Sequence, residues 1–372
     1  MIPLLLLMGC VAGYSLFLWR CRAAWKKGQR NLATVPHAFT SVSVLLPVRN
    51  ESNSLQNTLS CLTTLDYPAK AVEFIVIDDH SDDDTVSVVE AFIKKFPELM
   101  ITLLRSAESV GKKGALETGV RAAKHEIIVT TDGDVRFGSQ WLWKLVEILQ
   151  PGTLVCGPVL LKSAAQPTVL RRVVLLESIG LSMIAAAGII QRSPYFCNGA
   201  NMAFYKTDFE RLGGYADASG QLTGDDTALL LKYPPERLSF AFHHDCTVTA
   251  EPAATLSEFV YQRQRWASKV PFTLTRSTLF AAILAWLAHA ALLTALVACL
   301  SGLLAPVVLM AAVALKVVIE YVVLKAGGDF FRERISFIVL LAVQPIYWMA
   351  IVLIGLLAVF VPYRWKGRVS NT

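Results

Sequence analysis

Apolar positions follow two different rhythms along this chain of 372 residues. From Ser41 to about Ala250 they come in short β-branched runs: Val42 to Val48, Val72 to Ile77, Met100 to Leu104, Glu126 to Thr130 and Thr153 to Leu161. Between these runs lie stretches with helical spacing, among them Leu55 to Leu65 and Thr85 to Lys95. Strands alternating with helices predict an α/β domain whose mostly parallel sheet carries helices on both faces. Outside this region the runs are long. Ile2 to Trp19 is almost wholly apolar, and Leu279–Leu300, Leu303–Leu324 and Ile335–Val361 are each long enough to cross a bilayer. Val173 to Ile190 is also apolar, but Glu177 and several small residues interrupt it. Lying inside the α/β region, it reads as a helix at the membrane interface in preference to a span. The chain has no internal repeat and no low-complexity tract.

Composition agrees with membrane spans. Hydrophobic residues make up 54% of the chain and charged residues 17%, with a mean hydropathy of +0.48, too apolar for a purely soluble enzyme. Arg20, Arg22, Lys26, Lys27 and Arg30 follow the first apolar run, whereas a cleaved signal peptide carries its charge before it. Leu7-Met8-Gly9-Cys10 resembles a lipoprotein cleavage site only faintly. The positive-inside rule therefore predicts an integral protein, as at a bacterial inner membrane, with its N-terminus outside and the next domain cytoplasmic. The resulting layout is an anchor at 1–20, a domain at 40–270 ending in an interfacial helix, about three spans within 278–362, and a basic tail at 363–372. One conflict stands: three spans put the C-terminus outside, yet Arg364, Lys366 and Arg368 favour inside. Either the last stretch, which contains Pro345, is re-entrant, or the span count is off by one. Within the second of the three stretches, Lys316 and Glu320 sit four apart on one helical face, as a substrate path or as a helix–helix contact.

The net charge of +6 flanks the apolar runs, so it reads as membrane-facing and phosphate-facing charge and not as a nucleic-acid footprint. Seven scattered cysteines without a Cys-x-x-Cys pair argue against a disulfide framework and a zinc site, and fit a reducing compartment.

The chemistry centres on Thr130-Thr131-Asp132-Gly133-Asp134, which follows the run Ile127-Ile128-Val129. Two carboxylates one residue apart at a strand exit can share a hard cation, Mg²⁺ or Mn²⁺, completed by substrate phosphates. Open α/β sheets bind ligands at that edge, although Asp-Gly is also an ordinary turn. Asp78-Asp79 ends the second run and suits hydrogen bonds from a nucleobase or ribose, while Asp82, Asp83 and Asp84 suit the cap of the following helix. Gly111-Lys112-Lys113-Gly114 opens a further helix; glycines and lysine there suit a phosphate, and a solvated surface pair is the plainer reading. Next come Tyr195-Phe196-Cys197-Asn198-Gly199 and Thr223-Gly224-Asp225-Asp226. The second is either a helix cap or the source of a general base for an attacking hydroxyl. Last, Gln262, Arg265 and Trp266 fall at i, i+3 and i+4, sharing a helical face. Arg suits phosphate oxygens and Trp a sugar ring. The alternative is a basic helix lying on anionic lipid, with Arg263 and Lys269 on the lipid side.

These motifs, in this order over about Ser41 to Lys269, resemble the family 2 glycosyltransferases. The likeness is to the membrane-bound branch with cellulose, chitin and hyaluronan synthases and ceramide glucosyltransferase. The resemblance implies a GT-A (Rossmann-like) nucleotide-sugar-binding domain and an inverting, metal-dependent hexosyltransferase using a UDP-sugar. By match to family motifs, Asp79 with Asp78 would contact the base and Lys112 the nucleotide. Asp134 would hold the metal, and Asp132 the ribose or metal. Cys197, Asn198 and Asp225 would lie near the acceptor, Asp226 would be the base, and Gln262, Arg265 and Trp266 fill the QxxRW signature. Here Gly224-Asp225-Asp226 replaces the common Thr-Glu-Asp, a form also found in hyaluronan synthases. The partners implied are a UDP-sugar, a lipid or glycan acceptor and membrane lipid. One span before the domain and about three after it is thin for a polymer channel, which favours a lipid acceptor over a processive synthase. A non-catalytic transporter or scaffold is disfavoured because no expected acidic residue is missing.

Overall fold

A computed structural model of the chain describes residues 2–30, 40–106, 111–163, 165, 168–215, 225–268, 275–362, 364–365 and 368–369. In chain order it begins with α1 (Ile2–Arg30), β1 (Val42–Val48), α2 (Leu55–Leu62), β2 (Val72–Asp78), α3 (Thr85–Lys95), β3 (Ile101–Arg105) and α4 (Lys112–Ala122). Then come β4 (Ile127–Thr130), β5 (Val135–Arg136), α5 (Trp141–Val146), β6 (Leu154–Cys156), β7 (Val159–Leu161) and α6 (Val169–Ile190). They are followed by β8 (Met202–Tyr205), α7 (Lys206–Arg211), α8 (Asp225–Leu230), β9 (Leu238–Phe240), β10 (Val248–Ala250) and α9 (Leu256–Ser268). The chain ends with α10 (Arg276–Leu300), α11 (Pro306–Phe331), α12 (Phe337–Ala342), α13 (Gln344–Phe360), β11 (Arg364–Trp365) and β12 (Arg368–Val369). The chain divides into two compact units: residues 28–163 with 196–251, and residues 1–27 with 164–195 and 252–372.

The first unit is the α/β domain. Its main sheet has the order β3-β2-β1-β4-β8-β6-β9. The first four strands are parallel, β8 runs antiparallel to both neighbours, and β9 is parallel to β6. β1 and β2 are buried almost throughout, as strands with both faces covered must be. Alternation divides their side chains. Val42, Val44, Leu46 and Val48 join Phe74, Val76, Ile127 and Val129 under Leu55 and Leu59 of α2, Val89 and Phe92 of α3, and Trp141 of α5. On the other face α4 lies so close that a Cβ on Gly119 would stand 2.9 Å from Ile77 and 3.2 Å from Leu45. The run from Thr153 to Leu161, expected as one strand, is two. Gly157-Pro158 breaks it, and β7 joins β10 and β5 in a second, three-stranded sheet. Close approach explains the break: a Cβ on Gly157 would overlap the Asn201 side chain at 2.2 Å.

The second unit is helical. Four of its helices are long and apolar enough to cross a membrane: Leu5–Arg30, Val169–Ile190, Ser277–Leu300 and Pro306–Phe331. By length and composition α6 therefore qualifies as a span, where its position in the sequence predicted an interfacial helix. The third C-terminal stretch is not one helix; it divides into the six residues of α12 and the seventeen of α13. Pro345 stands in the first turn of α13, where its missing N–H is harmless. The basic tail forms the two-stranded β11–β12 ladder.

Lys316 and Glu320 do not face lipid. Lys316 Nζ lies 2.6 Å from Glu320 Oε1 and 2.7 Å from Gln344 Oε1. Glu320 also accepts from the Tyr14 hydroxyl (3.0 Å) and Gln344 Nε2 (3.0 Å), so α1, α11 and α13 share one buried polar knot. Removing one partner of such a pair strands the other charge, at a cost of about 3–5 kcal/mol. Lys316→Met should accordingly lower thermal stability by about that much, and Lys316→Met with Glu320→Gln by clearly less. Equal losses in the two proteins, measured by unfolding in nanodiscs, would show that the pair is not the source of the stability.

Candidate functional site

The carboxyl ends of β1, β2 and β4 lie side by side, because Val48 pairs with Asp78 and Leu45 with Thr130. Each strand delivers its polar sequence to the same edge. Asp78 and Asp79 are both buried. Asp79 Oδ1 accepts the Gly111 backbone N–H at 2.9 Å, which places the mouth of α4 directly beside it. Asp78 Oδ1 accepts from the Ser81 amide at 3.1 Å. Among the described residues its Oδ2 has no hydrogen-bond donor, with Arg105 Nε 3.8 Å away. A buried carboxylate oxygen in that condition is an acceptor site for a ligand N–H or O–H.

Lys112, on the first turn of α4, reaches across to the β4 exit. Its Nζ lies 2.6 Å from Asp132 Oδ1. The neighbouring Lys113 is buried, so this is not the solvated surface pair that the sequence alone would favour. Asp134 is exposed. Gly133 between the two aspartates is required by space, since a Cβ there would meet Val48 Cγ1 at 2.7 Å. Thr58 of α2 holds this loop, donating to the Gly133 carbonyl (2.9 Å) or the Val135 carbonyl (2.7 Å) and accepting from the Val135 amide.

A hard cation fits this donor set. Among the described residues no three His, Cys, Asp or Glu side chains converge as a metal cage. A DxD cation needs fewer, because it keeps waters and substrate phosphates in its shell.

The Cys197-Asn198-Gly199 loop joins the same edge. Thr130 Oγ1 donates to the Gly199 carbonyl at 2.8 Å, and Thr130 pairs with Met202 across β4 and β8. Cys197 is buried, with its Sγ 3.4 Å from the Asp226 carbonyl. Asp226 is half-buried in the first turn of α8, with its Oδ1 2.7 Å from the Thr227 amide. Asn198 is exposed and caps its own turn, accepting from the Ala200 amide at 3.0 Å. Asp225 opens α8; its side chain, like Thr223, Gly224 and Lys269, lies outside the described residues. The structure thus gathers Asp78, Asp79, Lys112, Asp132 and Asp134 at one strand edge and ties the Cys197 loop to it.

Three residues that sequence reasoning missed hold this edge together. Arg49 Nη1 donates to the carbonyls of Asp79 (2.7 Å) and His80 (3.0 Å). Thr58 carries the DxD loop. Asn201, fully buried, accepts from Trp141 Nε1 and donates to the carbonyls of Pro158 and Cys246. No spacing rule marks them, because each bonds to backbone far away in sequence. The expected capping role of Asp82–Asp84 falls to Asp83 alone. Asp84 occupies the cap position without a side-chain bond, whereas Asp83 accepts from the amides of Thr85 (3.0 Å) and Ser52 (3.1 Å).

In the helical unit, Gln262, Arg265 and Trp266 lie partly exposed on α9. Arg263, expected on a lipid-facing side, is instead buried, with its Nε 2.7 Å from Glu177 Oε2. That correction has a plain cause. Glu177, the charge interrupting the apolar α6, needs a counter-ion, and Arg263 supplies it.

The α/β domain has the fold of a GT-A glycosyltransferase. The backbone of the chain superimposes on the mannosyltransferase PcManGT from Pyrobaculum calidifontis, solved with GDP-Man and Mn²⁺, with a TM-score of 0.62. The two are 23% identical over 95% of this chain and 98% of that one. Residues 5–371 match the sequence model of glycosyl transferase family 21, and the chain belongs to that family. That family and the relatives of the chain are glycosyltransferases.

Among curated relatives, the probable glycosyltransferase YdaM of Bacillus subtilis is 27% identical over 249 residues, 65% of this chain and 57% of that protein. The poly-beta-1,6-N-acetyl-D-glucosamine synthase of Staphylococcus epidermidis is 36% identical over 97 residues, 25% of this chain and 21% of that one. The beta-monoglucosyldiacylglycerol synthase of Trichormus variabilis is 33% identical over 110 residues, 29% and 23% of the two chains. The match to each relative spans less than two thirds of that relative's length.

Burial pushes the Asp83 carboxyl up, but its hydrogen bonds from Thr85 and Ser52 outweigh burial and hold its pKa at about 2. A carboxylate depressed in the folded state stabilises above its unfolded pKa of about 3.9 and loses that contribution as pH falls through the folded value. Asp83→Asn should therefore lower the melting temperature slightly at pH 7, the side chain being solvent-exposed. The gap should close between about pH 4 and about pH 2. A gap unchanged at pH 2 would mean that the carboxylate charge is not what the loop uses.

Proposed function

We propose that this enzyme moves one or a few sugars from a UDP-sugar to a membrane-embedded lipid, with inversion at the anomeric carbon, at the cytoplasmic surface of the membrane. The observation that carries the reading is Lys112 Nζ at 2.6 Å from Asp132, on the strand edge that also holds the buried Asp78 and Asp79. Such an edge offers acceptors for a nucleoside, a cation for its diphosphate and a carboxylate pair for a metal.

In this reading Asp79 and Asp78 accept hydrogen bonds from the base or ribose. Asp132 and Asp134 would hold Mg²⁺ or Mn²⁺, whose charge, when bound, offsets the charge building on the diphosphate. Lys112 faces the phosphates as Asp132 turns toward its cation. By their match to the QxxRW motif, Arg265 forks onto phosphate oxygens while Gln262 and Trp266 seat the sugar. Asp226 takes the proton from the acceptor hydroxyl as that oxygen attacks, a contribution of roughly 10²–10⁴-fold. Cys197, Asn198 and Asp225 border the acceptor. Four helices apolar enough to span a membrane would present a lipid acceptor at the bilayer surface. The likeness to a glucosyldiacylglycerol synthase supports that acceptor class.

A processive polysaccharide synthase is the second reading, favoured by the likeness to the poly-N-acetylglucosamine synthase. The two make different products. Purified protein in native-lipid nanodiscs with Mn²⁺ or Mg²⁺ would receive radiolabelled UDP-glucose, UDP-N-acetylglucosamine, UDP-galactose or GDP-mannose in turn. Label extracted into organic solvent would support the lipid reading and name the donor, whereas an insoluble product of growing length would establish the polymer reading. Asp226→Asn should abolish transfer, by roughly 10²-fold or more, with nucleotide affinity measured by calorimetry unchanged. Equal loss of both would remove Asp226 from the role of base.

A further inference from the structure

Glu177 is a carboxylate in the middle of an apolar helix, outside every motif used so far. Its side chain is 9% exposed and that of Arg263 is 5% exposed. The Arg263 guanidinium spends two nitrogens on Glu177, donating from Nε and Nη2 to the same oxygen. Its remaining nitrogen, Nη1, donates to Gln262 Oε1. The guanidinium plane lies between two rings of its own helix, with Cζ 4.7 Å from the Phe259 centroid and 4.2 Å from that of Trp266. Two of the three QxxRW residues therefore rest on Arg263, and Arg263 rests on Glu177. Gln264 ties α9 to the end of α13, donating 2.8 Å to the Val361 carbonyl.

We propose that Glu177 is a positioning residue for donor binding: through Arg263 it sets the orientation of Gln262 and Trp266. A planar guanidinium held at two adjacent nitrogens cannot rotate about its stem. The direction of Nη1 and the tilt of the stacked face are then fixed before any substrate arrives. Without the carboxylate the plane turns freely, and both motif side chains lose their support. A buried ion pair adds little net stability compared with well-packed apolar residues, which fits a geometric role better than a stabilising one. The inference rests on the reading of Gln262 and Trp266 as donor-binding residues.

The test uses the full chain in nanodiscs, with the donor identified by the radiolabel assay and turnover measured against its concentration. Glu177→Gln keeps the shape of the side chain and removes its charge. It should raise the donor KM by about tenfold while kcat changes by less than about threefold, the signature of lost binding and not of lost chemistry. Glu177→Asp, which keeps the charge, should restore KM to within about threefold of the parent. A folded Glu177→Gln enzyme with parental KM, whatever its melting temperature, overturns the proposal. Should that variant fail to fold, Arg263→Lys decides. It leaves a cation for Glu177 but lacks the fork to Gln262 and the flat face on Trp266, so the same rise in KM is expected, and a parental KM overturns the proposal. Gln262→Ala and Trp266→Ala separate the two levels. If neither raises KM, the motif reading itself falls; if they raise it and Glu177→Gln does not, the positioning role alone falls.

Discussion

Everything at the candidate site depends on one constraint, the parallel register that ends β1, β2 and β4 at a common edge. Parallel strands expose their terminal amides and carbonyls on the same side, and side chains following the strands must share the space beyond. Here those side chains are mostly acidic. Asp78, Asp79 and Asp132 would repel one another were their charges not met locally. Gly111 N–H meets Asp79, the Ser81 amide meets Asp78, and Lys112 meets Asp132. Arg49 clamps the β2 exit by its carbonyls. Asn50 and His80, the residues in left-handed conformation at φ 51° and 59°, lie in these two exits. Strain of this kind persists only where surrounding bonds over-determine the backbone, as the Asn50–Asp82 and Asn50–Ser81 contacts do.

The helical unit solves a different problem with the same means. Charged groups among apolar helices survive only when paired and fully hydrogen-bonded. Lys316 and Glu320 meet that condition through Tyr14 and Gln344, and Glu177 meets it through Arg263. His289 lies edge-on between Tyr14 and Tyr347, at centroid distances of 5.4 and 5.7 Å. Polar contacts thus join α1, α6, α9, α10, α11 and α13. Apolar packing between such helices is weakly specific, because lipid tails resemble their side chains; polar contacts give the bundle one arrangement.

Much of this was legible in the sequence where local chemistry repeats with a period. The continuous apolar run of Val42–Val48 and the helical spacing in Thr85–Lys95 read correctly, because a strand covered on both faces demands the first and a helix buried on one face the second. The meeting of Asp78 and Asp132 at one edge followed from a rule about strand ends, whereas Lys112, at a helix start, read more plainly as a surface charge. What escaped was set by contacts between distant segments. Gly157 broke an apparent strand because Asn201 occupies the space its side chain would need. Pro345 divided an apolar stretch that hydropathy alone counts as continuous. Arg263 looked like a lipid-facing charge because nothing in its own helix points to Glu177, 86 residues earlier.

The sign of the charge at the strand edge bears on how an anionic donor could be accepted there. Asp78, Asp79, Asp132 and Asp134 stand against Arg49, Arg105 and Lys112. Arg49 is turned to backbone carbonyls and toward Asp82, while Arg105, largely exposed, approaches Asp78 only to 3.8 Å. Lys112 is already drawn to Asp132. A divalent cation between the carboxylate pair and the phosphates would reverse that balance, turning the acidic loop from a source of repulsion into a ligand set. The charge pattern therefore fits the metal-dependent reading proposed above, since at this edge the four carboxylates outnumber the cations set against them.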